Sequence, residues 1–180
     1  MTKTTEVYVG IDPGWKNLGF ALAVKNEETG KISKHLTAVH NPSSFKNINA
    51  YIKYLDTLLK TLTVSPISVT MERYVAYQGV FSSESENINL LIGALIHYFG
   101  SSDIWNVEPN LVRAIDWKIP LVKSLVRKKG FDNPSSNLDK KFSFAAAAAV
   151  MDEKIEKLDT DHEADALCLS VLPLYIKLDK

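Results

Sequence analysis

VYVGIDPGWKNLGFALAV, residues 7–24, consists of two apolar runs separated by a short polar turn. Val7–Ile11 reads as a buried strand that stops at Asp12-Pro13-Gly14, residue types that favour turns. Leu18–Val24 reads as a second strand. Glu27-Glu28-Thr29-Gly30 makes another turn, and Lys31–Val39 returns as a third strand. The chain therefore opens as an antiparallel meander.

Working outward, Ser43 or Ser44 is the expected cap of a helix whose apolar positions are Ile48, Tyr51, Ile52, Leu55, Leu58, Leu59 and Leu62. Ile67–Met71, running into Glu72, reads as a fourth strand. Glu84–Phe99 is a helix closed by Gly100, and Asp103–Val107 a fifth short strand. Asn110–Asn137 reads as short helices with a loop at Gly130–Asn137. Phe142–Leu158 is an alanine-rich helix. Thr160 and Glu163 stand at capping-box spacing, which starts a last helix running to about Tyr175. A meander followed by helical crossovers gives an α/β chain with a mixed five-stranded sheet, antiparallel meander plus parallel strands, flanked by helices. A chain of 180 residues suits a single domain spanning 1–180.

With 46% hydrophobic and 23% charged residues, the composition is globular and excludes a disordered or fibrous class. Cys168 is the only cysteine, so neither a disulfide framework nor a cysteine-rich zinc site is available. A reducing, cytoplasmic setting follows as an expectation. Met1–Glu6 has no apolar signal core, and no run reaches the roughly 18 apolar residues of a membrane span. Net charge is zero, but the charge is segregated. Between Arg113 and Lys141 lie Arg113, Lys118, Lys123, Arg127, Lys128, Lys129, Lys140 and Lys141, against Asp116, Asp132 and Asp139. The compensating acids concentrate in Asp152–Asp165. A cationic binding face beside an acidic site has this pattern, and so does a solvated helix surface.

Three features carry the chemistry. Asp12 ends the first strand, Glu72 ends the fourth, and Asp165 follows Asp161 and His162 by about one turn at the start of the last helix. In an open α/β sheet, sites form beyond the carboxyl ends of parallel strands. Oxygen-rich sites suit Mg²⁺ or Mn²⁺, and two such ions about 4 Å apart cleave phosphodiesters. Taken singly, Asp12 is an ordinary turn former, Glu72 an ordinary strand end, Asp161 a helix-dipole partner and Glu163 a cap. Asp165 stands out, because a carboxylate between Ala164 and Ala166 on an apolar helix needs a partner or a metal.

Gly10-Ile11-Asp12-Pro13-Gly14 with Asn17-Leu18-Gly19, then Glu72-Arg73-Tyr74, then His162-Glu163-Ala164-Asp165-Ala166-Leu167, resemble in order the three acidic motifs of RuvC-type Holliday junction resolvases. The resemblance implies a ribonuclease H-like fold and a metal-dependent endodeoxyribonuclease that resolves four-way junctions in DNA recombination and repair. The products would be 5′-phosphomonoesters. It implies that Asp12, Glu72, His162 and Asp165 hold the metal, Mg²⁺ with Mn²⁺ as a substitute and two ions per site, with Asp161 a further candidate. Pro109-Asn110-Leu111-Val112-Arg113 resembles a proline-led motif that makes Arg113 a phosphate contact, and Lys140 or Lys141 matches a second basic position. Tyr74 and Tyr77 fall where the family places a wedging aromatic. Lys118, Lys123, Arg127, Lys128 and Lys129 lie in a stretch, Trp117–Asn137, that departs from the pattern as extra basic length. A homodimer is implied as well, and Leu90, Leu91, Leu95 and Tyr98 supply either its interface or intrachain core.

Rival expectations remain. A broader branched-DNA debranching nuclease, an RNA-cleaving or exonucleolytic enzyme, and an inactive nuclease-like binding protein share the fold. An actin-like nucleotide-binding protein shares its core, but the chain is short for one and lacks a second Gly-rich phosphate turn.

Overall fold

A computed structural model of the chain describes residues 5–62, 66–75, 82–101, 105–129, 143, 146, 147, 149, 158 and 160–176, with side chains omitted for 122–129. β1 (Thr5–Asp12), β2 (Leu18–Asn26) and β3 (Ile32–His40) form the antiparallel meander. α1 (Ile48–Thr61) crosses to β4 (Pro66–Glu72), which lies parallel to β1. α2 (Ser83–Ser101) crosses to β5 (Asn110–Val112), parallel to β4. Among the described residues the strands form one five-stranded sheet in the order β3-β2-β1-β4-β5. α3 (Ala114–Lys129) and α4 (Asp161–Tyr175) follow.

Side chains alternate across a strand, and the two faces of this sheet bury different residues. Val7, Val9 and Ile11 of β1, with Leu18, Phe20 and Leu22 of β2, pack against Tyr51, Leu55 and Leu59 of α1 and Leu91, Leu95 and Phe99 of α2. Tyr8, Ala21 and Ala23 face the other way, toward α4 and toward Trp117 and Leu121 of α3. The second face is lined with small residues for a reason. A methyl group on Gly10 would overlap the backbone of Ala166 and Ser170, and one on Gly19 would overlap the backbone of His162. The glycine of the first motif is thus required by the close approach of α4, which is buried from Glu163 to Leu172.

The structure corrects several local expectations. The fifth strand is Asn110–Val112, not Asp103–Val107. Trp105 donates its indole N–H to the Tyr98 hydroxyl (2.7 Å), and the Val107 amide donates to the Phe99 carbonyl (2.9 Å). Asn106 has φ 40°, in the left-handed region, so the chain hooks back onto the end of α2 instead of extending. α2 itself runs through Gly100 to Ser101. Neither Ser43 nor Ser44 caps α1. Both sit in a 3-10 turn, and Asn47 is the cap, its side chain accepting from the Ala50 amide (2.9 Å). The region after Arg113 holds one long helix rather than several short ones, and α3 continues through Pro120. Proline inside a helix costs about 3 kcal/mol. Trp117 and Leu121, one turn apart and both fully buried, each contribute roughly 2–3 kcal/mol of burial against that cost.

Ser143, Ala146, Ala147 and Ala149 are helical and buried, within the alanine-rich stretch expected to be a helix. The rest of that stretch and the expected loop at 130–137 lie outside the described residues. No helix among the described residues is long and apolar enough to cross a membrane.

Candidate active site

β1 and β4 are parallel neighbours in register, Ile11 opposite Met71, so Asp12 and Glu72 emerge together at their carboxyl ends. Because Ile11 and Met71 face α1 and α2, the alternation turns Asp12 and Glu72 toward the α4 face. The capping box fixes where α4 begins: the Glu163 amide donates to Thr160 Oγ1 (3.2 Å) and the Thr160 amide to Glu163 Oε2 (3.2 Å). With α4 pressed onto Gly10 and Gly19, its first turns hang over the strand ends. There the His162 ring meets Asp12, Nδ1 to Oδ2 at 2.7 Å.

α3 supplies the remaining contacts through consecutive residues. Trp117 donates its indole N–H to Glu72 Oε2 (2.9 Å), and Lys118 Nζ donates to Asp165 Oδ2 (2.7 Å). The Lys118 and Asp165 side chains are only 15% and 13% exposed, so this is an interior pair rather than a surface one. Among the described residues, the buried Asp165 Oδ1 has no hydrogen-bond partner. Among the described residues, no three His, Cys, Asp or Glu side chains converge into a ready-made metal cage.

The electrostatics follow from burial and crowding. Burial, then the Asp12 charge, pushes the Glu72 carboxyl up to about 7, with Asp165 adding to the effect while Lys118 and the Trp117 indole oppose it. Burial likewise raises Asp165, against the pull of Lys118 and the Ser143 side chain. The Asp12 hydrogen bond raises His162; burial opposes it, and Asp161 and Asp165 reinforce it. Burial works against the Lys118 charge, but Asp165, Glu72 and Asp12 outweigh it and hold the ammonium protonated. Four anionic side chains, an imidazole and an ammonium thus share one electrostatic neighbourhood.

The structure therefore brings together Asp12, Glu72, His162 and Asp165, with Asp161 near enough to act on His162. Lys118, expected on the basic face, is in the carboxylate cluster. Arg113 is exposed just past β5, its guanidinium paired with the Asp116 carboxylate through Nε (2.6 Å) and an Nη (2.9 Å). Tyr74 is half-buried, its hydroxyl bonded to Ser85 Oγ (3.0 Å) at the start of α2. Tyr77, Lys140 and Lys141 lie outside the described residues, as do the side chains of Lys123, Arg127, Lys128 and Lys129. On α2, Leu91 and Leu95 are spent on the core and Tyr98 bonds Asp56 (3.0 Å), which leaves Leu90 exposed. Trp117 carries a site contact that the sequence did not signal. Its spacing to Leu121 marks a buried face, but nothing in that pattern distinguishes an indole that also donates to a carboxylate.

No protein-family model matches the sequence, and no curated protein matches it. Solved structures do match by shape. Thermus thermophilus RuvC in complex with Holliday junction substrate superposes with a TM-score of 0.66 at 17% identity, over 94% of this chain and 93% of that one. A second Thermus thermophilus RuvC structure gives 0.65 at 18% identity, with the same coverage. The fold is that of RuvC. The expected ribonuclease H-like architecture, with its mixed five-stranded sheet between helices, is therefore present.

Proposed function

We propose that this chain is a divalent-metal-dependent endonuclease that cuts branched DNA, with the four-way junction as its substrate. The observation that carries the proposal is that Asp12, Glu72, Asp165 and His162, from β1, β4 and α4, lie within electrostatic reach of one another at one end of the sheet. One of the matching RuvC structures holds a Holliday junction substrate, which supplies the substrate class.

The donor set fits a hard cation. It is mostly carboxylate oxygen, one buried oxygen of Asp165 has no partner among the described residues, and an ammonium already sits among the carboxylates where positive charge is favoured. Asp12, Glu72, His162 and Asp165 would hold Mg²⁺ or Mn²⁺, which supplies charge stabilisation at the phosphodiester and lowers the pKa of an attacking water. Two ions per site, and 5′-phosphate ends on the products, are part of the proposal. Asp12 orients the His162 ring through Nδ1, so Nε2 is the ring atom that would meet the cation. Trp117 holds the Glu72 carboxylate in place through Oε2. Arg113, then Lys123, Arg127, Lys128 and Lys129 of α3, and Lys140 and Lys141 would bind phosphates, and Tyr74 and Tyr77 would meet bases at the branch. A homodimer would present two such sites to a two-fold junction, with Leu90 on the outer face of α2 as its contact.

The test is cleavage of a labelled, immobile four-way DNA junction in Mg²⁺, beside linear duplex and a three-way flap, for wild type and Asp165→Asn. Paired symmetric nicks confined to the junction, and lost in the variant, support the proposal. Equal cutting of every branched form would point to a debranching nuclease. No metal-dependent cutting by folded protein sinks it.

A further inference from the structure

The Lys118 ammonium raises a question that the nuclease proposal leaves open. An interior lysine carrying its charge needs anions around it, and Lys118 has them: Asp165 at 2.7 Å, with Glu72 and Asp12 within electrostatic reach. Those three carboxylates are the residues assigned to the divalent cation. One of the two Asp165 oxygens is already bonded to Nζ, and the other is buried with no hydrogen-bond partner among the described residues. An ammonium and a divalent cation bound by the same carboxylates repel one another at a few ångströms, in surroundings that screen poorly. The neighbouring residue, Trp117, bonds Glu72 from the same helix, so α3 grips two of the carboxylates at once.

We propose that Lys118 is an internal counter-cation which a divalent metal must displace from Asp165, so that metal loading releases the side chain from the carboxylate cluster. This inference rests on the metal-dependent reading of the site. Lys118 then acts as a positioning residue: in the metal-free protein it holds the Asp165 side chain in place, and it sets a threshold for loading. Linkage requires the reverse as well, because any anion that draws Lys118 off Asp165 strengthens metal binding by the same factor.

The experiment is calorimetric titration of Mn²⁺, without DNA, into wild type, Lys118→Met and Lys118→Arg, each checked for folding by circular dichroism. Lys118→Met removes the competing charge and should bind Mn²⁺ at least tenfold more tightly. Lys118→Arg keeps the charge and should stay near wild type. Without metal, Lys118→Met should melt below wild type, because Asp165 loses its partner, and Mn²⁺ should raise its melting temperature by more than it raises that of wild type. A second readout needs no variant: acetylation of Lys118 in wild-type protein, followed by mass spectrometry, should rise severalfold when Mn²⁺ is added. Wild type that binds Mn²⁺, with Lys118→Met binding equally or less tightly and no rise in labelling, overturns the displacement while leaving the nuclease reading intact. No Mn²⁺ binding by any of the three proteins overturns both.

Discussion

His162 Nδ1 lies 2.7 Å from Asp12 Oδ2, although 150 positions separate the two residues along the chain. This contact ties the start of α4 to the end of β1. It exists because Gly10 and Gly19 let the helix backbone rest directly on the sheet.

Gly10→Ala should break that closeness. The added methyl meets backbone carbonyl and amide groups of α4, which cannot swing aside as a flexible side chain could. Overpacking of this kind costs about 1–3 kcal/mol or more. Urea denaturation should show a loss of at least that size, and cleavage should fall with it as α4 shifts off the strand ends. Wild-type stability in the variant would mean that α4 does not sit as closely as described.

Thr160→Ala removes the cap of α4 and should cost about 1 kcal/mol. Since the same cap fixes where His162 and Asp165 begin, kcat should fall while junction affinity stays near wild type. A variant that loses stability with kcat unchanged would show that the rest of α4 holds the two residues in place unaided.

Glu72→Gln should stabilise the metal-free protein. The Glu72 carboxyl sits at about 7 in the folded chain, above its ordinary 4.5. The folded state therefore carries a penalty that is absent below pH 4.5, grows as the group ionises, and is complete above about pH 7. That penalty is on the order of 3 kcal/mol, less whatever relaxation recovers. At pH 8 in chelator the variant should be more stable than wild type by about 1–3 kcal/mol, and the gap should close at pH 4.5. Cleavage should be lost at every pH. A pH-independent gap would contradict the electrostatic account.

The Asp12–His162 pair sets a second pH dependence. Asp12 raises the histidine above its ordinary 6.5, so the pair's stabilisation is fully present below pH 6.5 and is lost as pH rises through the higher folded value. In chelator, wild type should lose melting temperature more steeply than His162→Gln as pH rises from 6.5. Parallel curves would mean that the ring stays neutral throughout.

Arg113 tests the phosphate contacts. Its pairing with Asp116 lies on the surface, where such pairs are worth at most about 1 kcal/mol, so a phosphate can take over the guanidinium. Arg113→Ala should weaken junction binding, and the slope of log affinity against log salt should flatten by about 0.9 if one phosphate is lost. An unchanged slope would remove Arg113 from the DNA face.

The sequence by itself determined the meander, the two crossover helices, the capping box and the positions of the carboxylates. Each follows from local physics: period-two alternation, 3.6-residue apolar spacing, and the hydrogen-bonding habits of Thr, Glu, Pro and Gly. Tertiary structure overrode that local physics at particular places. Asp103–Val107 looked like a strand, but the Trp105 indole and the Val107 amide found better partners at the end of α2. Asn110–Asn137 looked like short helices, but the burial of Trp117 and Leu121 carried α3 through Pro120. Gly10 lies inside β1, where no local pattern demands a glycine, and its role is set by the backbone of a helix more than 150 residues later. Lys118 is the sharpest case. Among eight basic residues between Arg113 and Lys141 it looked like one more phosphate contact, and only the packing of α3 against α4 placed its ammonium on Asp165. Periodicity shows that a residue lies on a given face of its own element; which distant charge that face meets depends on how the elements pack.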